Sequence, residues 1–230
     1  MASNSLLAFD TATEYCSVAL ETDEGIVERT EKLGNAHSES LLPWIDDMVK
    51  KAGLSLKDIE GIIFSAGPGS FTGLRIACGV AQGLAWGIDK KVLPASTLAA
   101  MAFRFKDKAP RVAVINDARM NECYAAVYAS GDNGFEVIQS EHLIKPENVG
   151  LWLKQMQAGF VAGTAIGVYE MDIEIPSEYA HPSARDMIEW YRATQSVSEK
   201  LWTDPDKAAP LYIRDHVALT INERQQGAKL

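Results

Sequence analysis

The amino-acid sequence predicts an α/β protein with two related lobes, because two sets of short apolar strands are each followed by helical patterns. The first set predicts a three-strand meander over residues 6–9, 16–20 and 26–31. The second set predicts three strands over residues 112–115, 123–128 and 135–138. Asp10 and Asp117 are separated by the same 107 residues as Cys16 and Cys123, which indicates an internal duplication of a two-strand unit. Chance similarity between alternating strands with acidic turns is the alternative explanation.

Helices in the first half are predicted by apolar residues at helical spacing. Residues 38–52 form one such helix, with Ser38 or Ser40 as its cap. Pro43 restricts where this helix starts, because its missing N–H is harmless only in the first turn. A short strand at 92–93 precedes a helix over 97–105 that Ser96 is expected to cap.

The second half is predicted to contain a helix over 149–157, a strand over 160–165 and a helix that Ser183 caps. The charged stretch Lys106–Arg111 contains a proline and is the best boundary between the halves. The expected lobes are therefore residues 1–105 and 106–230, with the carboxyl-terminal tail packing back on the first lobe.

The composition is that of a folded protein and disfavours autonomous nucleic-acid binding, with a local basic patch as the alternative. The chain has 230 residues, 47% of them hydrophobic, and a net charge of −9, which opposes binding to a phosphate backbone. Cys16, Cys78 and Cys123 have no CxxC spacing and are expected to be buried free thiols of a reducing cytoplasm. We expect no signal peptide and no membrane anchor.

The most informative stretch runs from an apolar strand at 62–64 through a glycine-rich loop into a helix over 72–88. Only Arg75 and Gln82 interrupt the apolar and small residues of this helix, so it must be covered on all sides. We expect the chain's own sheet to cover one side and a second subunit to cover the other. Complete burial inside one large domain is the alternative, and a membrane span is disfavoured by the short length.

The glycine loop and the acidic turns suggest two interpretations. Gly67 and Gly69 lie before a helix, where N–H groups attract phosphates, and Asp10, Thr11 and Asp117 end predicted strands, where they could hold hydrated Mg²⁺ and a nucleotide. Neither the P-loop nor the GxGxxG spacing is present. The other interpretation is a tight turn that lets two backbones meet, with Asp and Thr side chains bonding nearby N–H groups.

Other kinds of catalytic site have no support in the sequence. The histidines are far apart without ligand spacing, so no metal site is expected: His37, His142, His181 and His216. Ser70 does not have the GxSxG spacing of a nucleophile elbow.

Five segments run in one order through nearly the whole chain: LAFDTAT at 7–13, HSESLLP at 37–43, GPGSFTGLR at 67–75, DARMNE at 117–122 and PLYIR at 210–214. In these segments the sequence resembles the TsaB (YeaZ) family of bacterial proteins needed for threonylcarbamoyladenosine in tRNA. GPGSFTGLR is the most specific of the five. The resemblance implies a duplicated actin-like fold of the ASKHA, ribonuclease-H-like kind, with a mixed β-sheet and helices in each lobe.

The resemblance also implies a non-catalytic subunit that pairs with a TsaD-like catalytic subunit, joined by a TsaE-like ATPase. The related catalytic subunit carries a metal-binding histidine pair on the helix after a comparable strand, whereas residues 94–101 here contain no histidine. The chain would thus need no cofactor of its own, since ATP and Mg²⁺ act through its partners, and it would contact tRNA only indirectly. The alternative functions are an independent nucleotide-binding ATPase or kinase-like enzyme, a glycoprotease-like hydrolase and a direct tRNA binder.

Family members dock through their first two helices, which correspond to residues 38–52 and 72–88 here. Without a partner, the chain is expected to form a homodimer through these helices. A glutamate at position 77 or 81 is expected to prevent pairing without unfolding the chain. The expected partner-binding residues are Leu41, Leu42, Ile45, Gly73, Leu74, Ala77, Val80, Ala81 and Leu84.

Overall fold

The first of two five-stranded sheets is built almost entirely from the first half of the chain. A computed structural model describes residues 5–131, 134–194 and 198–214. The strands lie in the order β3-β2-β1-β4-β5, in which β1, β4 and β5 are parallel and β2 is antiparallel to both neighbours. Their bounds are β1 Ser5–Asp10, β2 Tyr15–Thr22, β3 Gly25–Lys32, β4 Ile59–Gly67 and β5 Lys91–Ser96.

The second sheet repeats the first in strand order and direction. Its order is β8-β7-β6-β9-β10, with β6, β9 and β10 parallel and β7 antiparallel to both neighbours. The predicted duplication and the two-lobed α/β class are therefore confirmed. The bounds are β6 Arg111–Asp117, β7 Cys123–Gly131, β8 Gly134–Ile144, β9 Phe160–Gly163 and β10 Ser177–Tyr179.

Five α-helices connect and cover the strands of the described chain. Ser70, Ser96 and Ser183 each accept a hydrogen bond from a first-turn N–H of α2, α3 and α5, so the caps predicted at Ser96 and Ser183 are confirmed. The helices are α1 His37–Lys51, α2 Phe71–Ile88, α3 Thr97–Arg104, α4 Pro146–Met156 and α5 Ala184–Ala193.

The start of α1 differs from the prediction. The helix begins at His37, one residue after an Ala36 that offers no side-chain cap, so Ser38 and Ser40 lie inside it. Pro43 consequently sits beyond the first turn, where its ring removes one helical hydrogen bond. The helix tolerates this because Leu41, Trp44 and Ile45 are buried against the first sheet.

The two sheets share helical layers. Leu7 and Phe9 face the core under α1 and α2, whereas Leu6 and Ala8 face the core under α3 and α5. Helix α3 also packs on the second sheet, whose opposite face is covered by α4. The division at residue 105 separates the two sheets, yet α5 comes from the second half and packs on the first sheet.

Residues 203–214, which we call the C-terminal strap, cross the β5 edge of the first sheet and continue along α2. Thr203 forms two backbone hydrogen bonds with Val92 of β5, at 2.9 and 3.0 Å. The Ala208 carbonyl then accepts a hydrogen bond of 3.0 Å from Gln82 Nε2 on α2. The Leu211 N–H donates to the Ala66 carbonyl at 2.6 Å. The strap therefore covers a side of α2 that we had expected a second subunit to cover.

Trp202, just before the strap, packs directly on Gly61 of β4, where a Cβ atom would lie 2.4 Å from the indole ring. We expect Gly61→Ala to lower the free energy of unfolding by roughly 1–3 kcal/mol, because the ring must move out of its packed position. Urea unfolding checks this. Gly87→Ala is the matched control, since nothing lies within 4 Å of its added Cβ; equal loss in both variants would contradict the packing argument.

Candidate functional site: a closed cleft and an open helical face

The turn after β1 and the glycine loop of residues 67–73 lie against each other. Thr11 Oγ1 donates a hydrogen bond of 2.7 Å to the Gly73 carbonyl, and the Ser70 N–H donates one of 2.7 Å to the Ala12 carbonyl. A Cβ at Gly73 would lie 1.8 Å from the Thr11 carbonyl oxygen, and one at Gly69 would lie 2.5 Å from that of Ala12. The glycines therefore bring two backbones into contact, as the second interpretation expects.

Asp10 is buried at the carboxyl end of β1, with 2% of its surface exposed. Its Oδ1 accepts a hydrogen bond of 2.8 Å from the Ala12 N–H, and its Oδ2 has no hydrogen-bond partner among the described residues. Burial raises the pKa of Asp10 to about 6, against the opposing hydrogen bonds from Ala12 and Ser65.

The counterpart of Asp10 in the second lobe is Asn116, so pairing Asp10 with Asp117 was wrong by one residue. Asn116 lies on the α3 side of its strand and donates to Met101 Sδ at 3.2 Å. A repeated hydrogen bond fixes the offset of 106, since Thr11 N–H donates to Ser65 Oγ as Asp117 N–H donates to Thr164 Oγ1. The turn between β6 and β7 is one residue longer than the turn between β1 and β2, because Asn116 pairs with Tyr124 whereas Asp10 pairs with Ser17. The two buried cysteines beyond these turns are therefore 107 residues apart.

Asp117 turns away from Asp10. It accepts hydrogen bonds of 2.6 Å from Tyr169 OH and 2.7 Å from the Arg119 N–H, and Tyr169 belongs to the core under α4. The two carboxylates therefore do not face one cleft, which corrects the idea of a shared acidic site. Asp10 and Thr11 are buried, and Asp117 is paired within the chain, so these polar groups are not presented to an open cleft. A nucleotide site at Asp10, Thr11, Gly67, Gly69 and Asp117 stays a prediction.

Side chains also close the junction between the lobes. Arg119 of the second lobe pairs with Glu14 of the first at 3.0 Å. Arg104 at the end of α3 pairs with the buried Asp186 of α5. The Tyr15 and His181 rings stack with centroids 4.1 Å apart. Around Asp10 and Asp186 the cleft between the lobes is thus filled by the chain itself, and the Arg119–Glu14 pair bridges the lobes at the exposed surface.

His37 supports the turn after β1 from the start of α1. Its Nε2 lies 2.9 Å from the Thr13 carbonyl oxygen, and burial lowers the pKa of the imidazole. Within residues 5–131, 134–194 and 198–214, no three His, Cys, Asp or Glu side chains are grouped as metal ligands. His216 lies outside the described residues. The three cysteines are buried and free, as predicted.

Six of the nine expected partner-binding residues are buried inside this chain, and the docking role of all nine stays a prediction. The apolar residues of α2 were expected to need a second subunit, but alanines at 77, 81 and 85 face β4 and the strap covers Cys78. Leu42 is exposed, and Val80 and Leu84 are half-buried. The six buried residues are Leu41, Ile45, Gly73, Leu74, Ala77 and Ala81.

The open side of α2 is a row of glycines. Gly79, Gly83 and Gly87 are exposed, and a Cβ at any of them would meet nothing within 4 Å. Residues four apart share one face of a helix, so another helix can approach this row closely. Trp86 beside the row is 70% exposed. The four-residue spacing of these glycines is visible in the sequence and distinguishes them from the alanines, which face β4.

The described ranges contain no helix that is long and apolar enough to cross a bilayer.

The duplicated sheets and the filled cleft define an actin-like α/β protein whose interlobe cleft is closed by its own residues. The family model described as "TsaD: tRNA N6-adenosine threonylcarbamoyltransferase" matches residues 21–158. The Escherichia coli (strain K12) "tRNA threonylcarbamoyladenosine biosynthesis protein TsaB" is 37% identical over 224 residues, 93% of this chain and 96% of that protein. The protein of the same name from Haemophilus influenzae is 36% identical over 92% of this chain and 94% of its own length.

Solved structures agree with this relationship. "YeaZ from Pseudomonas aeruginosa" superposes with a TM-score of 0.78 and 33% identity, over 91% of this chain and 99% of that one. A Pseudomonas aeruginosa protein described as similar to peptidase YEAZ has a TM-score of 0.81 and 35% identity, over 92% of this chain and 100% of that one. The chain belongs to the TsaB (YeaZ) family, which confirms the resemblance found in its motifs.

Asp10 provides a test of the closed cleft. Its folded pKa of about 6 lies above the ordinary value of 3.8, so its favourable contribution is complete below about pH 4 and is lost as the pH rises through 6. Asp10→Asn should therefore match the parent near pH 4 and exceed its free energy of unfolding at pH 8 by roughly 2–3 kcal/mol. Urea titrations at both pH values measure this difference.

The exposed Asp107→Asn variant is the control and should change stability by no more than roughly 0.5 kcal/mol at either pH. If the difference in free energy of unfolding between Asp10→Asn and the parent is the same at pH 4 and at pH 8, the idea that Asp10 is a buried carboxylate that ionises between them is contradicted.

Proposed function

We propose that this chain is a non-catalytic, cytoplasmic scaffold subunit for the biosynthesis of threonylcarbamoyladenosine in tRNA. It pairs with a TsaD-like catalytic subunit, which transfers the threonylcarbamoyl group to N6 of the adenosine 3′ to the anticodon. The observation that carries this proposal is the combination of a filled cleft with an open glycine row on α2. The names of the relatives place them in the same biosynthesis.

The filled cleft argues for a non-catalytic role. Asp10 is enclosed, the glycine loop is occupied by the turn after β1, and Arg119 pairs across the junction with Glu14. Helix α3, which corresponds to the metal-binding helix of the related catalytic subunit, contains no histidine and is buried from Thr97 to Phe103. ATP and Mg²⁺ would act through the catalytic subunit and a TsaE-like ATPase, and tRNA would be contacted only indirectly, in keeping with the net charge of −9.

The open side of α2 supports the pairing. Small residues allow two helix axes to approach, and interfaces favour exposed aromatic residues such as Trp86. Ile76, Val80 and Leu84 are half-buried along the edge of the row and add apolar contact area. The charged outer face of α1 is self-paired through Asp46–Lys50 and Asp47–Lys51. In the absence of its partner, the open side of α2 would pair with a second copy of the chain.

Gly83→Leu tests the pairing. The added side chain projects into open space, so the variant should fold, but it blocks close approach of another helix. We expect the affinity for a TsaD-like subunit to fall at least roughly tenfold, measured by calorimetry with the purified subunits. Gln155→Leu on the exposed face of α4 is the matched control and should bind normally.

Unchanged binding by Gly83→Leu would contradict docking through this row. Ala77→Glu or Ala81→Glu cannot serve in its place, because each would bury a charge against β4 and unfold the protein rather than separate two subunits.

Calorimetry of the lone chain with ATP and Mg²⁺ tests the enzyme alternatives. We expect no stoichiometric binding and no turnover. Tight binding with hydrolysis by the isolated chain would overturn the scaffold role and favour an independent ATPase or hydrolase.

A further inference from the structure

The C-terminal strap covers part of α2 with very little buried side chain of its own. Within residues 203–214 only Ala208 is buried, and the side chains of Leu211 and Tyr212 are both exposed. Burial of apolar surface supplies most of the free energy that holds one segment of a protein against another. The strap therefore depends on hydrogen bonds and on contacts near the surface.

The start of the strap is firmly attached to the first sheet. Trp202 packs on Gly61, and its ring meets the Tyr191 ring edge to face, with centroids 5.4 Å apart. Thr203 follows directly and forms two backbone hydrogen bonds with Val92 of β5. These contacts involve the core under α3 and α5, so this end of the strap cannot leave without disturbing the sheet.

Farther along, the strap is held by contacts that lie near the surface. The Tyr212 ring lies 5.4 Å from the Phe71 ring, and its OH accepts a hydrogen bond of 3.0 Å from Arg75 Nε. Arg214 forms an ion pair with Glu122, which precedes β7. Water competes for such hydrogen bonds and ion pairs, so each contributes only modestly to stability. The far end of the strap is therefore attached more weakly than its start.

Residues 208–214, which we call the latch, hide a thiol and part of the glycine loop. The Ala208 carbonyl oxygen lies 3.6 Å from Cys78 Sγ and 3.0 Å from Gln82 Nε2, and Cys78 is only 6% exposed. The Leu211 carbonyl oxygen would lie 2.8 Å from a Cβ added at Gly67, so the latch backbone rests directly on the loop. Lifting the latch would uncover both places without removing a strand from either sheet.

We infer that the latch detaches from α2 while both lobes stay folded, with Trp202 and Thr203 as its fixed end. In the closed state it keeps Cys78 and the adjoining side of the glycine loop away from solvent, and in the open state it exposes them. Local openings of weakly buried segments require less free energy than global unfolding. The inference concerns the lone chain, so it stands or falls independently of the proposed function.

The three free cysteines allow this inference to be tested in the unmodified chain. Cys16 and Cys123 are completely buried in β2 and β7, so they react only when the sheets unfold. The full chain is treated with iodoacetamide, and mass spectrometry of its peptides follows each thiol. We expect Cys78 to be alkylated at least roughly tenfold faster than the other two. Equal rates for all three would show that Cys78 is reached only by global unfolding and would overturn the inference.

Low concentrations of urea give a second measurement without any substitution. Opening of the latch exposes much less surface than global unfolding, so its free energy depends less on urea. Alkylation of Cys16 and Cys123 should therefore accelerate steeply with urea, whereas alkylation of Cys78 should change little. The same steep dependence for Cys78 would contradict a local opening.

Tyr212→Ala separates opening of the latch from unfolding of α2 itself. It removes the contacts with Phe71 and Arg75, and we expect alkylation of Cys78 to become at least roughly threefold faster while Cys16 and Cys123 react as in the parent. Tyr179→Ala is the matched control, since Tyr179 is similarly exposed but lies on β10 of the second sheet, and it should leave Cys78 unchanged.

The remaining outcomes of this comparison count against the latch. An unchanged rate for Cys78 in Tyr212→Ala would mean that the thiol is reached through α2. A parallel rise for all three cysteines would mean a general loss of stability, which thermal unfolding of the variant would also reveal.

Discussion

Contact between the glycine loop and the turn after β1 determines most of what this molecule can do. Gly69 and Gly73 bring the loop backbone so near to Ala12 and Thr11 that no side chain could fit between them. The hydrogen bond from Thr11 Oγ1 to the Gly73 carbonyl then fixes where α2 starts. One arrangement of backbone therefore fills the space in front of the glycine loop and also sets the position of the helix that faces outward.

The strap and the junction between the lobes follow from this arrangement. A helix as apolar as α2 needs cover on several sides, and it receives cover from β4, from α1 and from the strap. The remaining side carries glycines, whose exposure costs little hydrophobic free energy because they have no side chain. The surface that remains open on α2 consists of small residues and a few large ones, such as Trp86.

Much of the fold could be predicted from the sequence, because strand alternation, serine caps and helical spacing are local signals. The duplication was also visible, although its register was not. A shift of one residue moves Asp117 to the opposite face of its strand, and only the hydrogen bonds of Thr164 and Ser65 reveal that Asn116 is the true counterpart of Asp10. Most of the predicted docking residues are buried for a related reason. Alanines and glycines of α2 differ by one carbon atom, and which of them faces the sheet depends on the long-range packing of α2 on β4.

The crossing of the strap over the β5 edge has a consequence for biosynthesis of the chain itself. The first sheet is translated early, but Leu6, Ala8 and Ile63 receive part of their cover from α5, and Gly61 is covered by Trp202. An N-terminal half emerging from the ribosome cannot complete its core before nearly the entire message has been read. A chain cut at residue 105 would therefore leave one face of the first sheet without the cover that α5 gives it.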